Sequence, residues 1–410
     1  MNAVFLLMGL LVLSYLGSFL MSRQTTGAVG LPSGVEYAAL GFLLGPQLLD
    51  FVSAKDLTSF EPVVQVAIGW LAFAVGLDFG VAQGHRVRAG SMVLGTLSSA
   101  LTGGAVAAAT WWTVGAVGAG FTARERIVLA GGVGAACSET TRHAIRWVAA
   151  RFQAKGPLAD RLNELAHADS LVPIAAAGVL FALAPTQTIA LRVPLRDWPA
   201  ITAGLGLLLG GGAALLLRSE MPIEDTWGVL FGVSLLAVGT AARLGLCTLT
   251  ATFFMGVAVS ALCRHASGLR ALVGPTERPV LLPALLLAGA RLDLHATPAL
   301  PWIAGVAIGA RLLAKMLVGW LLAVASAPAR RSGPLVGLSL MSSGTLASCI
   351  GLAFALRFPN AVGDTVLVVA VLAAVAGEFV GPARMRRSLQ AAGEIEESTA
   401  RTPVPLQART

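Results

Sequence analysis

Charged residues are scarce in this chain. They make up 12% of its 410 residues, while hydrophobic residues make up 56%, whereas soluble domains carry roughly 25% charged residues. Apolar runs of about 18 to 25 residues, long enough to cross a bilayer as helices, recur along the chain. Alternating strand-length segments are absent, as are motifs of hydrolases or phosphate-binding enzymes. We therefore predict an all-α polytopic membrane protein that is not an enzyme.

Cysteines are few as well. Their positions lie in or beside apolar runs without metal-ligand spacing, so they are interpreted as packing residues and no cofactor is predicted: Cys137, Cys247, Cys263 and Cys349. The net charge of +8 comes from basic residues in short loops, which indicates membrane topology rather than nucleic-acid binding. The positive-inside rule places the N-terminus outside and the C-terminus in the cytoplasm, and we expect the cytoplasmic (inner) membrane of a prokaryote.

The apolar runs predict about thirteen spans. Their bounds are approximately 3–21, 34–50, 62–80, 90–115, 126–149, 162–184, 198–217, 226–243, 247–263, 279–293, 300–326, 334–356 and 364–382. Two short motifs recur at an offset of seven spans: residues 41–45 resemble 253–257, and residues 74–79 resemble 288–294. An odd offset gives the two copies opposite orientations, so an inverted repeat of the kind found in secondary transporters is predicted.

One acidic residue, Asp169, begins a segment that is membrane-like through Leu183. An acid at membrane depth costs about 2.5 to 3.5 kcal/mol, so a chain keeps one where it binds something charged. Lys315 lies well inside span eleven, with Arg311 one turn earlier on the same face. We predict that Asp169 and Lys315 form a pair that opens when a cation takes the carboxylate. A static pair between helices, or a lysine reaching the interface, is the alternative.

Spans five and twelve, which the seven-span offset relates, are both interrupted by polar residues. Broken helices are tolerated at membrane depth where they line an enclosed cavity, and their ends suit a small cation. Ordinary hydroxyl contacts between helices are the alternative. The predicted ligands of a monovalent cation are the carboxylate and the hydroxyl residues of the two breaks: Asp169, Ser138, Thr140, Ser343 and Thr345.

Two further acids are candidates for the transport path. Glu164, close to Asp169, is predicted to pair with Arg311 as a brace in preference to binding the ion. Glu139 lies in the first break, and it is predicted to contact either the cation path or Arg142.

These features resemble the monovalent cation–proton antiporter superfamily, of the sodium/proton exchanger type, over about residues 35–382. Residues 40–46 are similar to its second-span signature, residues 75–78 to the end of its third span, and residues 282–294 to its tenth. Glu164 and Asp169 keep the spacing of its Glu-Ser-x-x-Asn-Asp element. Lys315, with Gly319, matches its basic residue on span eleven.

The resemblance implies a homodimer in the lipid bilayer, in which a core moves against a dimerisation domain. It also implies that Asp169 carries a cation and a proton in turn, so that protons are exchanged for Na⁺, or for K⁺ or Li⁺, in pH homeostasis. The division of this chain would be dimerisation-side helices at 1–89 and 226–294, core helices at 90–185 and 300–382, a linker helix at 198–217 and a disordered cytoplasmic tail at 383–410.

Two departures from the family pattern keep other functions open. Ala168 replaces the Asn or Asp that precedes the key aspartate, which removes a side-chain oxygen. The Thr-Asp-Pro-like break is replaced by residues 138–140, which moves an acid into the crossing. The alternatives are a cation-coupled solute symporter on the same scaffold, for which Ala168 leaves room, and a non-transporting sensor or partner that kept the fold.

Overall fold

The structure is a computed structural model, and it describes residues 34–79, 89–183, 194–218, 221–263 and 266–395, with residues 9 and 12 as isolated positions. Within these ranges the regular structure is helical and no strand occurs. The all-α class predicted from the apolar runs is therefore confirmed. The predicted first span, residues 3–21, lies outside the described residues apart from the two isolated positions.

The described helices follow the predicted spans two to thirteen. In chain order the α-helices are α1 (Val35–Leu44), α2 (Ala54–Ser59), α3 (Glu61–Asp78), α4 (Ala89–Val117), α5 (Ala123–Ser138), α6 (Arg142–Arg151), α7 (Pro157–Asp169), α8 (Leu171–Leu183), α9 (Trp198–Leu216), α10 (Ile223–Leu244), α11 (Thr248–Leu262), α12 (Ala266–Val273), α13 (Glu277–Ala290), α14 (Leu300–Ala325), α15 (Ala327–Ser332), α16 (Thr345–Arg357) and α17 (Ala361–Ala391). The 3₁₀ helices are η1 (Leu195–Asp197), η2 (Gly274–Thr276) and η3 (Pro334–Leu340).

Several of these helices are long and apolar enough to cross a membrane. Within the described ranges there are 8 of them, if α7 and α8 are joined as one span and α12, η2 and α13 as another. There are 9 if the bent pair of η3 and α16 is also counted as a span. The helices α1 and α11 are apolar but shorter. The chain is thus a multi-pass membrane protein, while the count of thirteen spans stays a prediction.

Two exposed tryptophans lie near opposite ends of α14. Trp302 is 67% exposed and Trp320 is 54% exposed. Eighteen residues of helix place them on the same face and about 27 Å apart along the axis, close to the thickness of roughly 30 Å of a hydrocarbon core. Tryptophan is enriched at both membrane interfaces. The spacing of the pair is therefore that expected for a helix that crosses the bilayer.

The described helices pack in two groups. The first contains α1, α3 and α9 to α13, and the second contains α4 to α8 and α14 to α17 with η3. Each helix makes most of its contacts within its own group. The candidate site lies in the second group. The assignment of these groups to a dimerisation domain and a moving core stays a prediction.

Two glycine pairs bring helices of the first group into backbone contact. Gly76 of α3 faces Gly256 of α11, and a Cβ added at either position would overlap a main-chain oxygen of the other helix. Gly41 of α1 and Gly289 of α13 face each other in the same way. Span three (α3) therefore packs on span nine (α11), and span ten (α13) packs on span two (α1) in the same way. This is the pairing expected of two repeats that are offset by seven spans.

Gly76→Ala is expected to lower the free energy of unfolding by about 1 to 3 kcal/mol, because the added methyl group has no space without moving a backbone. The matched control is Gly104→Ala on α4, where a Cβ would meet nothing within 4 Å. The control is expected to be neutral or slightly stabilising, since alanine favours helix over glycine. Thermal unfolding in detergent measures both variants. Equal melting temperatures for the two would contradict the close packing at Gly76.

The C-terminal region is ordered further than predicted. The helix α17 continues to residue 391, and the Glu394 carboxylate then accepts hydrogen bonds from the main-chain amides of Leu158 (2.6 Å) and Ala159 (2.9 Å). A carboxylate at a helix N-terminus satisfies amides that have no partner in the helix and interacts favourably with the helix dipole. The prediction of a disordered tail over 383–410 is therefore wrong for residues 383–395, and the remaining residues lie outside the described ranges.

Candidate ion-binding site

Two extended breaks meet in the second helix group. The backbone is extended at Glu139 and Thr141, between α5 and α6. Opposite this break, η3 and α16 are separated by residues 341–344 and enclose a bend of 58°. The Thr141 amide donates a hydrogen bond of 2.9 Å to the carbonyl of Ser342, so the two breaks are joined directly. The interruptions predicted in spans five and twelve are present and lie against each other.

Lys315 of α14 reaches this junction with its side chain completely buried. Its Nζ lies 3.3 Å from Asp169 Oδ2, 2.8 Å from Thr140 Oγ1 and 3.4 Å from the main-chain oxygen of Ser138. Three acceptors match the three donors of an ammonium group. The buried ammonium group thus has protein acceptors in place of water, and a lysine that reaches the membrane interface does not fit this geometry.

Asp169 is the last residue of α7 and is 2% exposed. Its Oδ2 faces Lys315, whereas its Oδ1 accepts no hydrogen bond from any residue that the structure describes. A buried carboxylate oxygen without a donor is costly in a folded protein. A cation or a proton bound at Oδ1 would remove that cost.

Thr140 and Ser138 contact the same ammonium group as the key carboxylate. The Thr140 hydroxyl accepts from Lys315 and donates to the main-chain oxygen of Leu340, at 3.1 Å. Ser138 contributes its main-chain oxygen, because its hydroxyl donates within α5 to the carbonyl of residue 135 at 2.8 Å. The structure therefore brings three of the predicted site positions, 138, 140 and 169, around Lys315.

The hydroxyls predicted in the second break have other surroundings. Ser343 is hydrogen-bonded to the Arg311 guanidinium, not to the Lys315 group. Thr345 is half-buried as the first residue of α16, and it forms no hydrogen bond with Asp169 or Lys315. These two hydroxyls are not brought to the carboxylate in this structure.

Arg311 joins the two breaks. It is the largest completely buried side chain in the described ranges, and its guanidinium donates to the main-chain oxygen of Glu139 at 2.9 Å and to Ser343. The Glu139 carboxylate in turn accepts from the Gly344 amide at 2.6 Å, immediately before α16. Each break thus supplies an acceptor for Arg311, and Glu139 caps the helix that follows the other break.

Glu164 does not form the predicted brace with Arg311. Its carboxylate accepts a hydrogen bond from Ser91 of α4, and the Ser91 hydroxyl also accepts one from Arg161 at 2.6 Å. Glu164 therefore ties α7 to α4, more than one helical turn before Asp169. The brace is absent because the Arg311 guanidinium donates its hydrogen bonds to a main-chain oxygen and a hydroxyl oxygen of the two breaks instead.

Arg142 does not contact Glu139 but belongs to an ion cluster between the two helix groups. Its partner is Asp78 at the end of α3, and Arg270 Nε lies 2.6 Å from the same carboxylate. Beside this cluster, the Phe79 ring stacks on His167 with centroids 4.4 Å apart. The cluster therefore holds α3 and α6 together close to the helix that carries the key carboxylate.

One further contact to Asp169 was not predicted from the sequence. The Ser99 hydroxyl of α4 donates a hydrogen bond of 2.9 Å to the main-chain oxygen of Asp169. The signal that could have revealed it is the adjacent pair Ser98 and Ser99 inside an apolar span, since hydroxyls in such spans commonly bond to a neighbouring helix.

This architecture is similar to that of solved structures of a sodium proton antiporter. A structure of the sodium proton antiporter MjNhaP1 from Methanocaldococcus jannaschii at pH 8 aligns with a TM-score of 0.68 and 14% identity, over 96% of this chain and 99% of that one. The chain has the fold of MjNhaP1. An electron-microscopy map of the same antiporter gives a TM-score of 0.66 and 14% identity, over 96% and 98% of the two chains. No family model and no curated protein matches the sequence.

The resemblance to cation–proton antiporters is thus confirmed for the fold, over nearly the whole of both chains. Ala168, which departs from the family pattern, lies where two helices of this fold pack closely. Ala168 is completely buried, and its Cβ lies against Gly95 of α4, where even an added methyl group on the glycine would collide. A larger side chain at 168 would push α4 away from α7, so the small residue permits this close packing.

Proposed function

We propose that this protein is a secondary transporter that exchanges protons for a monovalent cation by alternating access. The proposal rests chiefly on the Asp169–Lys315 pair, which is buried at the junction of two broken helices and leaves one carboxylate oxygen without a donor among the described residues. The fold shared with the sodium proton antiporter MjNhaP1 supports the same class of reaction. Na⁺ is the cation proposed first.

Exchange follows from competition at one carboxylate. Asp169 binds either a proton or a dehydrated cation, so loading one releases the other. With neither bound, Lys315 compensates the negative charge at 3.3 Å. A cation at Oδ1 takes over that compensation, and main-chain oxygens at the ends of the breaks are suited to complete its coordination.

The proposed setting follows the resemblance. The protein would act as a homodimer in the cytoplasmic membrane of a prokaryote, with the N-terminus outside, the C-terminus in the cytoplasm and a role in pH homeostasis. The core, residues 90–185 and 300–382, would carry the site and move against the dimerisation-side helices, 1–89 and 226–294, with the linker helix 198–217 between them.

The test is ion-driven proton movement in reconstituted vesicles that contain a pH-sensitive dye. External Na⁺, and to a smaller degree Li⁺ or K⁺, is expected to make the lumen alkaline, while choline is expected to have no effect. Currents on a solid-supported membrane report whether net charge moves, because each charge is worth about 2.3 kcal/mol per 100 mV. A lumen pH that responds to none of these cations would contradict the proposal, and a response that requires an organic solute would favour the symporter.

A further inference from the structure

The main-chain oxygen of Asp169 has no partner in its own helix. In a regular α-helix the amide of residue 173 donates to the carbonyl of residue 169. Position 173 is a proline, which has no N–H, so this bond is missing at the junction of α7 and α8. Because the carbonyl is buried with its residue, a donor must come from elsewhere in the protein. The Ser99 hydroxyl provides it, at 2.9 Å, from a completely buried position.

We infer that Ser99 is a positioning residue, whose hydroxyl replaces the donor that Pro173 removes and thereby holds the Asp169 carboxylate at Lys315. The inference rests on the proposed function. The peptide that follows Asp169 lies between two helices, and without a donor its carbonyl would turn toward other polar groups. The side chain leaves the same Cα and would turn with it.

The contact depends on how closely α4 approaches α7. Ser91, Gly95 and Ser99 are spaced by four residues and therefore lie on one face of α4. Ser91 bonds to Glu164, a Cβ on Gly95 would meet the Leu165 carbonyl at 2.6 Å, and Ser99 bonds to the Asp169 carbonyl. A serine side chain is short, so it reaches the carbonyl only because Gly95 lets the two backbones come together one turn away.

The Asp169 carboxylate is held by few contacts, so its position depends on the backbone that carries it. Oδ2 makes its contact with Lys315 at 3.3 Å, and Oδ1 has no donor in the described part of the chain. A misplacement of about 1 Å at a reacting group is enough to cost on the order of 100-fold in activity. A rotation of the Asp169 peptide would therefore weaken cation binding even though every ligand is still present.

The test is a set of four variants that removes and then restores the missing donor. Ser99→Ala is expected to raise the cation concentration for half-maximal exchange about tenfold, the factor expected for one hydrogen bond. Pro173→Ala supplies an amide N–H at position 173, so it is expected to be near wild type alone and to reverse most of the Ser99→Ala effect in the double variant. The matched control is Ser98→Ala, because Ser98 is buried and its hydroxyl bonds to no described residue.

Cation-induced thermal stabilisation in detergent, with Na⁺ as the probe, provides a second measure that does not require transport. A double variant as impaired as Ser99→Ala, or a Ser99→Ala variant that matches Ser98→Ala, would overturn the inference. If Ser99→Ala gives no folded protein, recovery of a folded, Na⁺-binding double variant supports the inference and failure to recover it overturns it. A wild type that neither exchanges nor binds any cation would instead refute the proposed function itself.

Discussion

Asp169→Asn is expected to reduce cation-dependent proton exchange by about 100-fold or more at every pH. The amide has the size of the carboxylate, yet it carries no charge to compensate a dehydrated cation and no proton to exchange. A factor of 100 corresponds to about 2.7 kcal/mol, which is within the cost of leaving one charge uncompensated at membrane depth. Solid-supported-membrane currents and vesicle pH, with Na⁺, K⁺ and Li⁺, measure the loss.

The matched control is Asp160→Asn, which changes an exposed acid on the same helix. It is expected to exchange at the wild-type rate. Asp169→Asn is expected to fold, because Lys315 still donates hydrogen bonds to Thr140 and to the Ser138 carbonyl. The oxygen of the new amide can also accept a hydrogen bond from Lys315. Undiminished exchange by a folded Asp169→Asn variant would place the proton and cation carrier on another residue.

The parts of this fold that the sequence predicts are those with a local physical signature. The positions of the helices in spans two to thirteen follow from apolar runs, because a membrane-spanning helix must be apolar along its length. Asp169 and Lys315 could be identified as a pair because each is a charge inside such a run, and a buried charge requires a partner. Polar interruptions likewise revealed both breaks, since hydroxyls and glycine weaken a helix that has no other reason to end.

Several of the contacts that were not predicted involve main-chain atoms. Arg311 was assigned to Glu164 because their charges are opposite, but its guanidinium contacts the Glu139 carbonyl and Ser343. The sequence does not show which carbonyls an extended break leaves without a helical partner. Helical spacing predicts on which face of its helix a residue lies, but not which other helix packs against that face. The same holds for Glu394, whose partners are two amides at a helix start.

Arg311→Met is expected to lower the free energy of unfolding by about 3 to 5 kcal/mol, the range for removing one partner from a buried charged network. The variant leaves the Glu139 carbonyl and the Ser343 hydroxyl buried without their donor, and each such group costs about 1 to 3 kcal/mol. A thiol-reactive fluorescent dye measures unfolding, because the four cysteines are buried until the helices separate. The apparent melting temperature is expected to fall by roughly 5 °C or more.

The control Arg243→Met alters an exposed arginine in the last turn of α10 and is expected to change stability by less than about 0.5 kcal/mol. Arg311 contacts the breaks and not the Asp169 carboxylate, so we expect it to stabilise the site instead of taking part in ion binding. The Arg311→Met protein that remains folded should therefore reach half-maximal exchange at a cation concentration close to that of wild type. A variant as stable as wild type but altered in cation affinity would mean that Arg311 belongs to the ion path and that the breaks hold together without it.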